Sequence, residues 1–98
     1  MLYPKNKEEF SESLFQNPTS EYRCAPFWAW NKRLDWNDME QQIEVFKEMG
    51  MGGFHIHSRI GLNTPYLSGE FMDYVKKCNI KAKEMKMLTW LYDEDKWP

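Results

Sequence analysis

Long hydrophobic runs are missing from this 98-residue chain. No stretch approaches the roughly 18 apolar residues of a membrane span. The opening, Met1-Leu2-Tyr3-Pro4-Lys5-Asn6-Lys7-Glu8-Glu9, lacks the apolar core of a secretory signal. With Met1 as the start, the expected compartment is cytoplasmic. Cysteine is scarce, and Cys24 and Cys78 show neither a Cys-x-x-Cys nor a Cys/His metal spacing, so the expectation is two reduced thiols without a chemical role. An excess of positive charge is also absent. The 13 basic residues are dispersed among 15 acidic ones for a net charge of -2, leaving no basic stripe to neutralise a phosphate backbone, and nucleic acid is not an expected partner. Glycine is missing where a dinucleotide binder needs it. The first apolar segment ends in Trp-Asn-Lys-Arg, while Gly50, Gly52 and Gly53 precede their strand instead of following it, which argues against a phosphate-binding turn.

Aromatic residues, by contrast, are abundant: five Trp, five Tyr and six Phe, 16% of the chain, exceed what a core of this size needs. Some of these rings should face a ligand or other protein surface.

Hydrophobic periodicity places the elements. Glu8 to Phe15 has helical composition and stops at Asn17-Pro18-Thr19-Ser20, so residues 1–21 read as a leading helix and linker. Cys24-Ala25-Pro26-Phe27-Trp28-Ala29-Trp30-Asn31 reads as a buried first strand. Asp35 can cap a helix from about Trp36 to Met49, in which Met39, Ile43 and Phe46 recur at helical spacing before Gly50 stops it. Gly52 to His57 forms a second strand, Ser58 to Leu67 a loop, and Ser68 caps a helix with Phe71, Val75, Cys78, Ala82 and Met85 on one face. Met87 to Tyr92 is the third strand. The two later units look like repeats, since Glu48-Met49-Gly50-Met51 leads into one strand as Glu84-Met85-Lys86-Met87 leads into the other. Alternating strands and helices imply parallel strands with right-handed crossovers, in an open sheet or a closed barrel. Polar and aromatic residues at all three strand exits favour the barrel, whose active site lies at that face. The expected fold is therefore α/β, with residues 22–98 forming the first three βα units of a (β/α)8 TIM-type barrel, incomplete because a whole barrel takes about 250 residues.

The strand exits carry the candidate chemistry. Trp30 could stack on the apolar face of a sugar while Asn31 hydrogen-bonds its hydroxyls; alternatively Trp28 and Trp30 fill the core. His55 and His57 point to one side of a strand, with Phe54 and Ile56 on the other. Such a pair can contact a substrate, be satisfied internally, or hold a metal as in amidohydrolase barrels, although no further histidine is present to complete the ligand set. Arg59 can clamp a carboxylate. Asp93-Glu94-Asp95, flanked by Trp90, Tyr92 and Trp97, reads as a functional rim whose acids could shift one another's pKa or bind a cation.

Three motifs occur in order: Pro26-Phe27-Trp28-Ala29-Trp30-Asn31; Gly52 to Leu62 with Thr64-Pro65-Tyr66-Leu67-Ser68; and Trp90-Leu91-Tyr92-Asp93-Glu94-Asp95-Lys96-Trp97-Pro98. Together they resemble the N-terminal barrel region of glycoside hydrolases related to family 106, the α-L-rhamnosidases. Ile56 stands where Met is more usual and Lys96 where Arg is, and the family pattern continues with Ser-Gly where this sequence stops. The resemblance implies a longer hydrolase that cleaves a terminal L-rhamnosyl or similar sugar with inversion, by an acid and a base expected downstream of Pro98. It also implies calcium, with unassigned ligands, and sugar binding by Trp30, Asn31, His57, Arg59, Asp93 and Asp95. Two alternatives remain: a metal-dependent amidohydrolase using His55 and His57, and a sugar-binding module without catalysis.

Overall fold

The computed structural model describes residues 11–95. The expected helix from Glu8 lies partly outside them, as do Lys96 and Trp97. What is described of it is a short helix α1, Glu12–Gln16, capped by the Ser11 side chain, followed by a 3-10 turn at Ser20–Tyr22. Three parallel strands come next, β1 (Phe27–Trp30), β2 (Gly53–Ser58) and β3 (Leu88–Asp95), with helices α2 (Trp36–Glu48) and α3 (Gly69–Glu84) in the crossovers. The sheet order is β1-β2-β3. Phe27 faces His55 in one ladder, and Gly53 faces Leu88 in the other.

Local chemistry explains where the helices begin. Asp35 accepts a hydrogen bond from the Asn37 amide at 2.9 Å, and Ser68 accepts one from the Phe71 amide at 3.2 Å. Each satisfies an amide that has no partner within its helix. Asp35→Ala should therefore cost about 1 kcal/mol of unfolding free energy, measured by urea titration. A change within error would show that the cap contributes nothing.

One face of the sheet is buried against α2 and α3. Trp28 and Trp30 of β1 and Phe54 and Ile56 of β2 meet Met39 and Ile43 of α2 and Phe71, Cys78 and Ala82 of α3 in a single core. The rings pack edge to face: Trp28 lies 5.1 Å from Phe54 and 5.5 Å from Phe46, and Trp30 lies 5.4 Å from Phe71. This geometry sets the positive edge of one ring against the negative face of another. The Trp28 indole N–H donates to Gln42 at 2.6 Å, and Lys81 of α3 pairs with Glu40 and Glu44 of α2 at 3.6 and 3.0 Å. Both cysteines are free, Cys24 exposed and Cys78 buried. Burial pushes the Cys78 thiol up to about 12, so it is protonated at neutral pH and acts as a core residue. Among the described residues no helix is long and apolar enough to cross a membrane.

The barrel expectation requires correction. Among the described residues the chain forms an α/β fold of three α-helices with a three-stranded parallel sheet bounded by β1 and β3, and it is not evidently part of a barrel. Strand and helix alternation dictates parallel pairing and crossover handedness, which open and closed sheets share. Closure depends on what fills the inner face, where barrels stack layers of bulky branched aliphatics. Here the face away from the helices carries Phe27, His55, His57, Trp90 and Tyr92, joined by ring-to-ring contacts.

Candidate functional site

This helix-free face carries both histidines and a row of aromatic rings. Alternation along β2 sends Phe54 and Ile56 into the core and leaves His55 and His57 on the opposite side. The neighbouring strands supply rings at matching heights. His55 stacks on Trp90 with centroids 4.7 Å apart and planes 10° from parallel, and His57 stacks on Tyr92 at 4.4 Å and 15°. On its other side His57 meets Phe27 at 3.9 Å, and the Arg59 guanidinium lies 5.5 Å from the centre of the Phe27 ring. Arginine, phenylalanine, histidine and tyrosine thus form one continuous stack across the three strands. Trp90 and Tyr92 remain 37% and 41% exposed, because a histidine covers only one face of each.

The acids lie at the end of β3, where the ladder is irregular. Ile56 faces Leu91, yet Ser58 faces Asp95, so β3 uses two more residues than β2 between these pairs. That bulge aims each acid at a different hydroxyl. Tyr66 donates to Asp93 at 3.0 Å, Ser58 donates to Asp95 at 2.9 Å, and Tyr92 donates to Glu94 at 2.8 Å. The Tyr66 phenol is held above its ordinary pKa, first by burial and then by its bond to Asp93 and the charge of the acids. Tyr92 is raised mainly by its bond to Glu94. Both phenols remain protonated donors at neutral pH.

His57 titrates below its ordinary value. Burial is the largest cause, and the charges of His55 and Arg59 push the same way. The neutral imidazole is therefore favoured in the folded chain. Since the unfolded chain binds the proton more readily, stability from this group is fully present above pH 6.5 and is lost as the pH falls through 6.5 toward the depressed folded value. An NMR titration should place the His57 midpoint below 6.5, and unfolding free energy should rise with pH across that window. A midpoint above 6.5 would contradict the stacked, cation-flanked setting.

The sequence-predicted residues separate into those brought together and one withdrawn. His57, Arg59, Asp93 and Asp95 belong to the strand ends of one sheet, as the parallel topology requires. Asn31 is exposed just beyond β1. Its carbonyl lies only 2.2 Å from where a Cβ on Gly61 would sit, so the loop after β2 packs on the β1 exit at a residue with φ of +106°. The Arg59 amide bonds the Trp30 carbonyl at 3.1 Å across the same junction. Trp30, expected to stack on a sugar, is 2% exposed and packs on Phe71, so its ring belongs to the core. Sequence reasoning missed Phe27 and Tyr66. Phe27 could have been found from its phase, since it alternates with the buried Trp28 and Trp30; Tyr66 sits in a loop with no periodic signal.

The metal expectations meet a different geometry. Among the described residues no group of three or more His, Cys, Asp or Glu side chains is placed to hold a metal ion. The three acids accept from three separate hydroxyls, and the two imidazoles stack on aromatic rings.

A cleft of about 680 Å³ lies elsewhere, between the Asn17–Arg23 segment and the start of β3. Fold and site together define an α/β protein with a three-stranded parallel sheet and an aromatic, histidine-bearing face. No family model, curated protein or solved structure matches the chain.

Proposed function

We propose that this chain binds carbohydrate for a glycoside hydrolase related to the family 106 α-L-rhamnosidases, with L-rhamnosyl or a similar terminal sugar as the ligand. The observation that carries this reading is the exposed flat surface of Trp90 and Tyr92 beside His55 and His57 on the helix-free face, with Glu94 bonded to the Tyr92 hydroxyl at its edge. A pyranose has one face of C–H groups and a rim of hydroxyls. The rings offer the first a dispersion surface, and Asp93, Asp95, Asn31 and Arg59 offer the second donors and acceptors. The order of the three motifs supports the same class. His57, Arg59, Asp93 and Asp95 hold the sugar, and Trp30 keeps β1 seated against α3. Asp93 and Asp95 are assigned to binding, and no residue of this chain is assigned as acid or base. Hydrolysis needs two carboxyl groups about 5 to 10 Å apart across the glycosidic bond, and the resemblance places these downstream of Pro98.

Titration with methyl α-L-rhamnoside, followed by two-dimensional NMR of the dilute chain, tests the proposal. The Trp90 indole signal, assigned from a Trp90→Phe variant, should shift saturably at millimolar sugar, and the buried Trp28 and Trp30 signals should not. An unmoved Trp90 signal at saturating sugar would sink the reading.

A further inference from the structure

We propose that β3 is a self-association edge, along which a second copy of this chain pairs antiparallel about a two-fold axis near Leu91. The inference draws on the same strand as the sugar reading but rests on its edge and charge, and it is tested without sugar.

β3 is eight residues long, and among the described residues it pairs with β2 only. Its other edge presents main-chain groups without a ladder, a template for another strand. The register decides which groups these are. The Leu88 amide donates inward to Gly52 at 2.8 Å. Alternate residues of a parallel strand direct their main-chain groups to the same side, so Leu88 and Trp90 face β2 while Thr89 and Leu91 face outward. Leu91 is also 37% exposed. Antiparallel pairing about Leu91 sets Leu91 against Leu91 of the second copy and Trp90 beside its Tyr92. The stack of His55 on Trp90 would then continue across the interface.

Charge selects this direction over the parallel one. β3 begins apolar, Leu88-Thr89-Trp90-Leu91, and ends acidic, Asp93-Glu94-Asp95. Parallel pairing would align acids with acids. Antiparallel pairing carries each acidic end to the beginning of the other β3, where the 680 Å³ cleft is lined by Arg23, Lys47, Lys83 and Lys86 with Glu21 the single acid. These four basic side chains gather at one cleft on a chain whose net charge is -2. Lys47 and Lys83 also complement the C-terminal ends of α2 and α3, but Lys86 belongs to neither helix. Thr89, whose hydroxyl is buried with no hydrogen-bond partner, lines the same cleft at the level of the arriving acids. Asp93 and Asp95 each keep acceptor sites beyond their bonds to Tyr66 and Ser58. A two-fold interface is closed, so it yields a dimer and not a filament.

Sedimentation of the 98-residue chain without sugar tests the inference. The 11.9 kDa chain should dimerise reversibly, with half-dissociation between about 1 and 100 µM. Raising NaCl from about 0.05 to 0.5 M should weaken the dimer about tenfold or more. Leu91→Pro removes an outward amide and leaves the β2 ladder intact, so it should give a monomer with unchanged circular dichroism. A surface pair, Lys83→Glu with Lys86→Glu, provides a second reading that needs no change inside the strand. It should be monomeric alone and form a heterodimer when mixed with Asp93→Lys/Asp95→Lys. A wild-type chain monomeric to about 500 µM, growth beyond a dimer, or undiminished association of the folded variants would each overturn the proposal. The sugar titration is a separate experiment on dilute monomer, so failure of one leaves the other standing.

Discussion

Gly53→Ala should abolish the folded state at ordinary temperature or reduce unfolding free energy by about 3 kcal/mol or more. Gly53 is the first residue of the central strand and faces Leu88 across the β2–β3 ladder. A Cβ there would lie 2.0 Å from the Leu88 carbonyl oxygen and 2.8 Å from its carbon. These are backbone atoms and cannot rotate aside. β3 would have to withdraw, breaking the adjacent bond from the Leu88 amide to the Gly52 carbonyl and lifting Trp90 off His55. The cost is steric, not conformational, so any larger side chain should behave the same way. Urea titration of the expressed variant measures it; a loss under about 1 kcal/mol would mean that the strands are less closely apposed than their register indicates.

His57→Ala and Asp93→Ala should each lower kcat/KM on an aryl rhamnoside by about 10²-fold, roughly 3 kcal/mol of transition-state binding, in the hydrolase proposed above. His57 is the centre of the ring stack, held between Phe27 and Tyr92. Asp93 is fixed by Tyr66, so its remaining acceptor sites are oriented before a sugar arrives. Neither residue belongs to the buried cluster against α2 and α3, so both variants should retain their fold by circular dichroism. Folded variants with unchanged kinetics would remove these residues from the site.

Much of the architecture was legible because local chemistry and periodicity govern it. The helix expected over Trp36 to Met49 forms over Trp36–Glu48, and the two expected cap residues, Asp35 and Ser68, both cap. The histidine pair lies on the side opposite Phe54 and Ile56, because a strand leaves no other choice. β3 was expected to end at Tyr92 but continues to Asp95, since Ser58 recruits Asp95 through a bulge that depends on a loop far away in sequence. Trp30, which the sequence leaves open between sugar stacking and core, is decided by its neighbours. Its position at a strand end suits a binding site, but its phase places it with Trp28 on the helix-covered face, and Phe71 closes over it.

The sequence by itself determined the elements, their caps, the parallel direction of the strands and which residues share a face. Each of these follows from neighbours within about one or two helical turns or from the two-residue period of a strand. Only the tertiary structure decided that the sheet is bounded by β1 and β3 among the described residues, that a continuous ring stack crosses it from Arg59 to Tyr92, and that the three acids part toward Tyr66, Ser58 and Tyr92. Those outcomes depend on which side chains from distant segments arrive at the same height on adjacent strands. Register and bulges set that height, and neither has a periodic signature in the chain.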